Sequence, residues 1–92
     1  MSIRSRILLK GVESAMGSNS ANGSNFGNAR LVRVINTHDV DEVVILTETV
    51  GGSTIGQFTL MAYEDIEIVK EPLNGIYAAS TNVSGVPIGY TN

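Results

Sequence analysis

Apolar and polar positions alternate along most of this chain with the two-residue period of a pleated strand, and no apolar stripe of useful length follows a helical period. The pattern is clearest over residues 54–72. Residues 54–61 and 65–70 read as two short strands. Ala62-Tyr63-Glu64 is a tight turn that pairs them as a hairpin, and Pro72 is the stop. In the second strand Ile66 and Ile68 take one face, while Asp65, Glu67 and Val69 take the other. The same grammar recurs elsewhere. Residues 3–10 form a predicted strand with Ile3, Ile7 and Leu9 on one parity and Arg4 and Arg6 on the other; a one-turn helix around 11–16 is the alternative for its continuation. Residues 30–36 place Val32 and Val34 opposite Leu31, Arg33 and Ile35. Residues 42–49 carry the β-branched run Val43-Val44-Ile45, apolar on both parities, which predicts cover on both sides.

Turn chemistry separates these segments. Thr37-His38-Asp39, Val50-Gly51-Gly52-Ser53, Asn74-Gly75 and Ser84-Gly85 are predicted turns, leaving strands at 76–80 and 86–90. About seven short strands at this spacing predict an all-β fold, a small antiparallel β-sandwich or barrel in a single domain spanning 1–92. One stretch breaks the pattern. Gly, Ser and Asn supply ten of the thirteen residues over 17–29, predicting a long flexible loop. Long loops in compact domains are often functional. The sharper reading is therefore a docking loop that orders on a partner, with Phe26 as its apolar anchor beside Asn22 and Asn25.

Composition narrows the function. A chain of 92 residues has a small core, with an expected stability on the order of 5 kcal/mol. It has no cysteine, so disulfides, thiolate metal sites and a cysteine nucleophile are excluded. Oligomerisation or docking on a larger body is the remaining source of stability. Nine acids against six bases give a net charge of −3, which disfavours nucleic acid as the main partner. Three of the bases, Arg4, Arg6 and Lys10, fall in the first ten residues, where they could touch a polyanion or line the solvated face of a strand. Apolar runs are far short of the roughly 20 residues a membrane helix needs, and the N-terminus does not read as a signal peptide, so a soluble protein made in a cytoplasm is expected, with no membrane partner.

Candidate chemistry is sparse. The lone His38 lies in Thr37-His38-Asp39-Val40-Asp41-Glu42, which offers an acid–base pair or oxygen ligands for calcium, weighed against ordinary turn roles for the same carboxylates. Asp65 and Glu67 share a strand face, as a glycosidase pair would, but without a tryptophan platform. There is no Gly-x-Ser-x-Gly elbow, and Gly51-Gly52-Ser53-Thr54 lacks the lysine of a phosphate loop. No catalytic residue, cofactor or metal site is predicted. Tyr63, aromatic at a turn tip, is a candidate interface anchor.

Several segments carry a resemblance. Asp41-Glu42-Val43-Val44-Ile45-Leu46-Thr47, Gly52-Ser53-Thr54-Ile55-Gly56-Gln57-Phe58-Thr59-Leu60, Ile66-Glu67-Ile68-Val69-Lys70-Glu71-Pro72, Ile76-Tyr77-Ala78-Ala79-Ser80 and Val86-Pro87-Ile88-Gly89-Tyr90 together resemble small virion proteins of marine tailed phages, notably cyanophages. The resemblance covers about 31–91 and rests on strand grammar; the 17–29 segment departs from it. It implies a non-enzymatic virion protein, first a capsid decoration or cement protein bound to the major capsid protein or other virion proteins, as a homo-oligomer or on a lattice. The alternative is a neck, tail or fibre-associated protein in a ring. A carbohydrate- or calcium-binding sandwich module is the alternative from another class. The partner-binding residues expected on these readings are Phe26, Asn25, Asn22, Tyr63, Arg4 and Arg6.

Overall fold

A computed structural model describes residues 6–80 and 82–91. Its described residues form eight antiparallel strands, one 3-10 turn at Ser20–Asn22 and no α-helix. The first sheet contains β1 (Arg6–Leu9), β2 (Ser14–Ala15), β3 (Leu31–Asn36), β6 (Asp65–Val69) and β8 (Val83–Thr91) in the order β1-β8-β3-β6, with β2 also on β8. The second contains β4 (Glu42–Thr47), β5 (Thr54–Leu60) and β7 (Gly75–Ala78) in the order β5-β4-β7. The all-β sandwich read from the sequence is the observed architecture.

Alternation explains the core. Val32 and Val34 of β3 and Val83 of β8 meet Val44 of β4, Leu60 of β5 and Ile76 and Ala78 of β7, all essentially inaccessible to solvent. Each fully buried side chain of this size contributes about 1.5–3 kcal/mol relative to exposure. The predicted double cover of 42–49 corresponds to a central strand, with Val44 and Ile45 both buried although they point to opposite faces.

Five sequence expectations are corrected. The stretch 54–61 does not pair with 65–70: β5 pairs with β4, β6 pairs with β3, and the turn between them carries the chain from one sheet to the other. Phe58 and Leu60 of β5 pack in the core, as does Ile68 of β6, but from opposite layers. Alternation reports which face is buried, not which strand lies alongside.

Ser84-Gly85 is not a turn. Strand β8 runs straight through it, and Gly85 is buried opposite Val34. The missing side chain serves a close approach, because a Cβ there would lie 2.6 Å from Phe26 Cζ. The turn expected at Asn74-Gly75 falls two residues earlier, where Glu71 and Asn74 exchange hydrogen bonds around Pro72-Leu73 and Gly75 already starts β7. The helix alternative over 11–16 is replaced by β2, paired with Gly85 and Ser84.

The 17–29 segment is a strap, not a free loop. It is fastened to the second sheet: Ser24 and Ile76 exchange two backbone hydrogen bonds, the Gly17 carbonyl accepts from Ala78 N, and Ser20 bonds to both Gly51 and Gly52. Met16 and Phe26, at its two ends, are 1% and 6% exposed. The composition misled because these short polar side chains satisfy the strap's own backbone. Asn19 Oδ1 accepts from Asn22 N, Ser24 Oγ from Phe26 N, and Asn25 Oδ1 from Gly27 N and Asn28 N.

Candidate docking groove

The strap and the segment after β1 form the two walls of an open groove of about 930 Å3. One wall is 10–14, held to β8 by a hydrogen bond from Lys10 N to the Pro87 carbonyl (2.9 Å). The stem of Lys10 lies across Gly89, where an added Cβ would meet Lys10 Cε at 2.9 Å. The opposite wall is 24–31, which turns through positive φ at Phe26, Gly27 and Asn28 before entering β3. Phe26, Pro87 and Ile88 contribute its apolar lining.

Its charge runs against that of the chain. Among the described residues the charged side chains lining the groove are Lys10 and Arg30, in a protein of net charge −3; the exposed Glu13 lies within the 10–14 wall segment, and Glu71 stands beside Arg30. Arg30 approaches Glu71 at 3.7 Å, but both side chains are exposed, and a pair of that kind contributes about 0–1 kcal/mol. Its guanidinium therefore stays available for a bidentate carboxylate. Val12, 87% exposed at the rim, adds an apolar contact point. Such a cleft concentrates positive potential and suits an extended acidic segment.

The residues expected from the sequence do not converge here. Phe26 lines the groove from within the core and is not a free anchor, a correction that follows from the strap. Asn25 is engaged with its own backbone, and Asn22 is exposed in the 3-10 turn. Arg4 lies outside the described residues, and Arg6 takes its place in β1 opposite Thr91. Tyr63 is 69% exposed at a turn with φ of 59°. That turn is bonded to Asn36, whereas the groove includes Leu31 at the other end of β3, roughly 17 Å away along the strand. Sequence reasoning grouped Lys10 with the N-terminal bases and gave Arg30 no role; only the strap brings the two walls together.

The His38 cluster is a fastening. His38 Nδ1 lies 3.0 Å from Glu42 Oε2 and Nε2 lies 3.4 Å from Asp39 Oδ1, while Asp41 Oδ1 accepts from Ala62 N. Among the described residues no group of three or more His, Asp or Glu side chains is placed to hold a metal ion. Asp65 is engaged by Arg33 at 2.9 and 3.0 Å, and Glu67 stands opposite Arg33 in the ladder.

Two buried polar residues were missed. Asn36 is inaccessible to solvent; its amide donates to the carbonyls of Val40, Leu60 and Met61, and its Oδ1 accepts from His38 N. Lys70 is 5% exposed, and Nζ donates to the carbonyls of Glu71 and Pro72. Burial pushes its pKa below the ordinary lysine value.

No family model, curated protein or solved structure matches the chain in comparisons with each.

Proposed function

We propose that this protein works by docking, gripping an extended acidic segment of a larger assembly in the Lys10–Arg30 groove. The assembly we propose is the mature shell of a tailed phage, with the chain as a capsid decoration or cement protein. The observation that carries the docking reading is a groove whose charged lining is Lys10 and Arg30, built on a strap whose own hydrogen bonds hold it in place. A groove that needs little ordering on binding loses less entropy than a loop that folds onto its partner. The phage assignment rests on the resemblance of the strands at 31–91 and is the more specific half of the proposal. Binding to the mature shell alone would stabilise that shell by mass action.

Co-sedimentation with empty mature phage capsids tests both halves. The expected result is saturable binding near one copy per capsid subunit, weakened at least about tenfold by Lys10→Glu with Arg30→Glu and by raised salt. Absence of binding would overturn the capsid assignment. Binding unaffected by the charge reversals would overturn the groove. Saturation at a dozen copies or fewer, in the range of a connector ring, would move the protein to the neck or tail.

A further inference from the structure

The two sheets have differently protected edges. On the first sheet, β6 carries Asp65 and Glu67, charges that oppose pairing with another copy, and β1 runs directly into Lys10. On the second sheet, β7 is covered by the strap through Gly17 and Ser24. Strand β5 has no such device. Its seven residues, Thr54-Ile55-Gly56-Gln57-Phe58-Thr59-Leu60, include no charge and no proline, and among the described strands it pairs with β4 alone. A register shift near Ile55 is its one irregularity.

The ladder fixes which groups face outward. The Val43 carbonyl accepts from Ala79 N on the β7 side, so Val43 and Ile45 bond toward β7. Glu42, Val44 and Leu46 then bond toward β5 through Leu60, Phe58 and Gly56. Gln57 and Thr59 are left presenting N–H and C=O to the open edge. Gly56 has an unusual setting: a Cβ added there meets nothing within 4 Å, and its φ is not positive, so nothing in the monomer requires glycine. Glycine inside a strand often marks the close approach of another backbone.

The geometry points to an isologous dimer in which β5 pairs antiparallel with β5 of a second copy about a two-fold axis at Gln57. In that register Gln57 faces its own counterpart as a hydrogen-bonded pair. Gly56 faces Phe58 of the second copy as a non-hydrogen-bonded pair, where side chains come closest. Phe58 packs against its own core and is only partly buried, so its exposed part then borders the open face of the glycine, a recognised way of stabilising edge glycines. Ile55, 54% exposed, comes opposite Thr59 of the second copy. The arrangement closes, because pairing consumes both β5 edges and β7 is already covered. A contact of this kind falls below the usual size of a stable interface, so the dimer is weak, with Kd on the order of 100 μM.

Sedimentation velocity without capsids, from about 10 μM to about 1 mM, tests this independently of the groove. The wild-type chain should shift from monomer to dimer across that range. Gln57→Lys and Gln57→Glu place like charges face to face at the axis, and each should weaken the dimer at least about tenfold. An equimolar mixture of the two should restore it, which an unfolded variant would not do. A monomer throughout, a dimer insensitive to both substitutions, or a mixture that fails to restore association would each overturn the proposal.

Discussion

Gly85 and Phe26 act as one unit. Phe26 adopts φ of 53°, a region unfavourable for a bulky side chain, and yet is 6% exposed. Its burial offsets the strain, and the ring occupies the space that the absent Gly85 side chain leaves. Gly85→Ala is expected to destabilise the protein by about 1–3 kcal/mol through overpacking, and by clearly less in a Phe26→Leu background, where the ring is gone. A urea double-mutant cycle measures that coupling; additive losses would mean the two do not share the space. Lys70 makes a prediction of a different kind. Its folded-state pKa lies below the ordinary value, so the unfolded chain binds more protons through the alkaline window between the two. The cost of holding the charged amine is fully present below that window, and stability rises with pH across it. Urea midpoints taken from about pH 7 to about pH 11, past the ordinary lysine value, should show this rise relative to Lys70→Met, where the contribution disappears. Equal pH slopes in the two proteins would contradict it.

At the scale of elements, the strands were legible and their partners were not. The alternation of β3 and β6 located both strands to within a residue or two, because one buried face imposes a two-residue period whatever lies alongside. The hairpin reading of β5 and β6 failed because a short polar turn serves a hairpin and a change of sheet equally well. The crossing is fastened by Asn36, at the end of β3, which nothing in the local pattern distinguishes from an ordinary strand-ending asparagine. Its amide binds carbonyls on both sides of the 61–64 crossing's entry and its backbone N–H bonds to Glu64, so it ties the crossing to the turn at 37–40. Asn36→Ala should cost about 3 kcal/mol or more, since buried carbonyls lose their donors, and thermal unfolding measures it. A loss below about 1 kcal/mol would mean the carbonyls find other partners. The groove was illegible for a related reason. Lys10 and Arg30 lie twenty positions apart, and the segment between them reads by composition as a mobile loop, whereas its Asn and Ser side chains close it into a wall.

At the scale of the whole molecule, a small cysteine-free sandwich has two ways to gain stability from outside itself, and it offers a surface for each. On the proposed reading the groove presents Lys10 and Arg30 to an acidic segment of a partner, and the β5 edge presents backbone to a second copy. The strap that walls the groove is fastened at β7, the opposite edge of the second sheet from β5, so a dimer formed through β5 would leave the groove residues outside its seam, and bivalent engagement of a repeating lattice would raise avidity without any new contact. Docking through the groove is open to test by amide hydrogen exchange of the capsid-bound protein against the free protein. Slowed exchange is expected at 10–14, 24–31 and 88–89, with the turn bearing Tyr63 unchanged. Protection centred on that turn, or bound protein with no slowing along the groove, would contradict it.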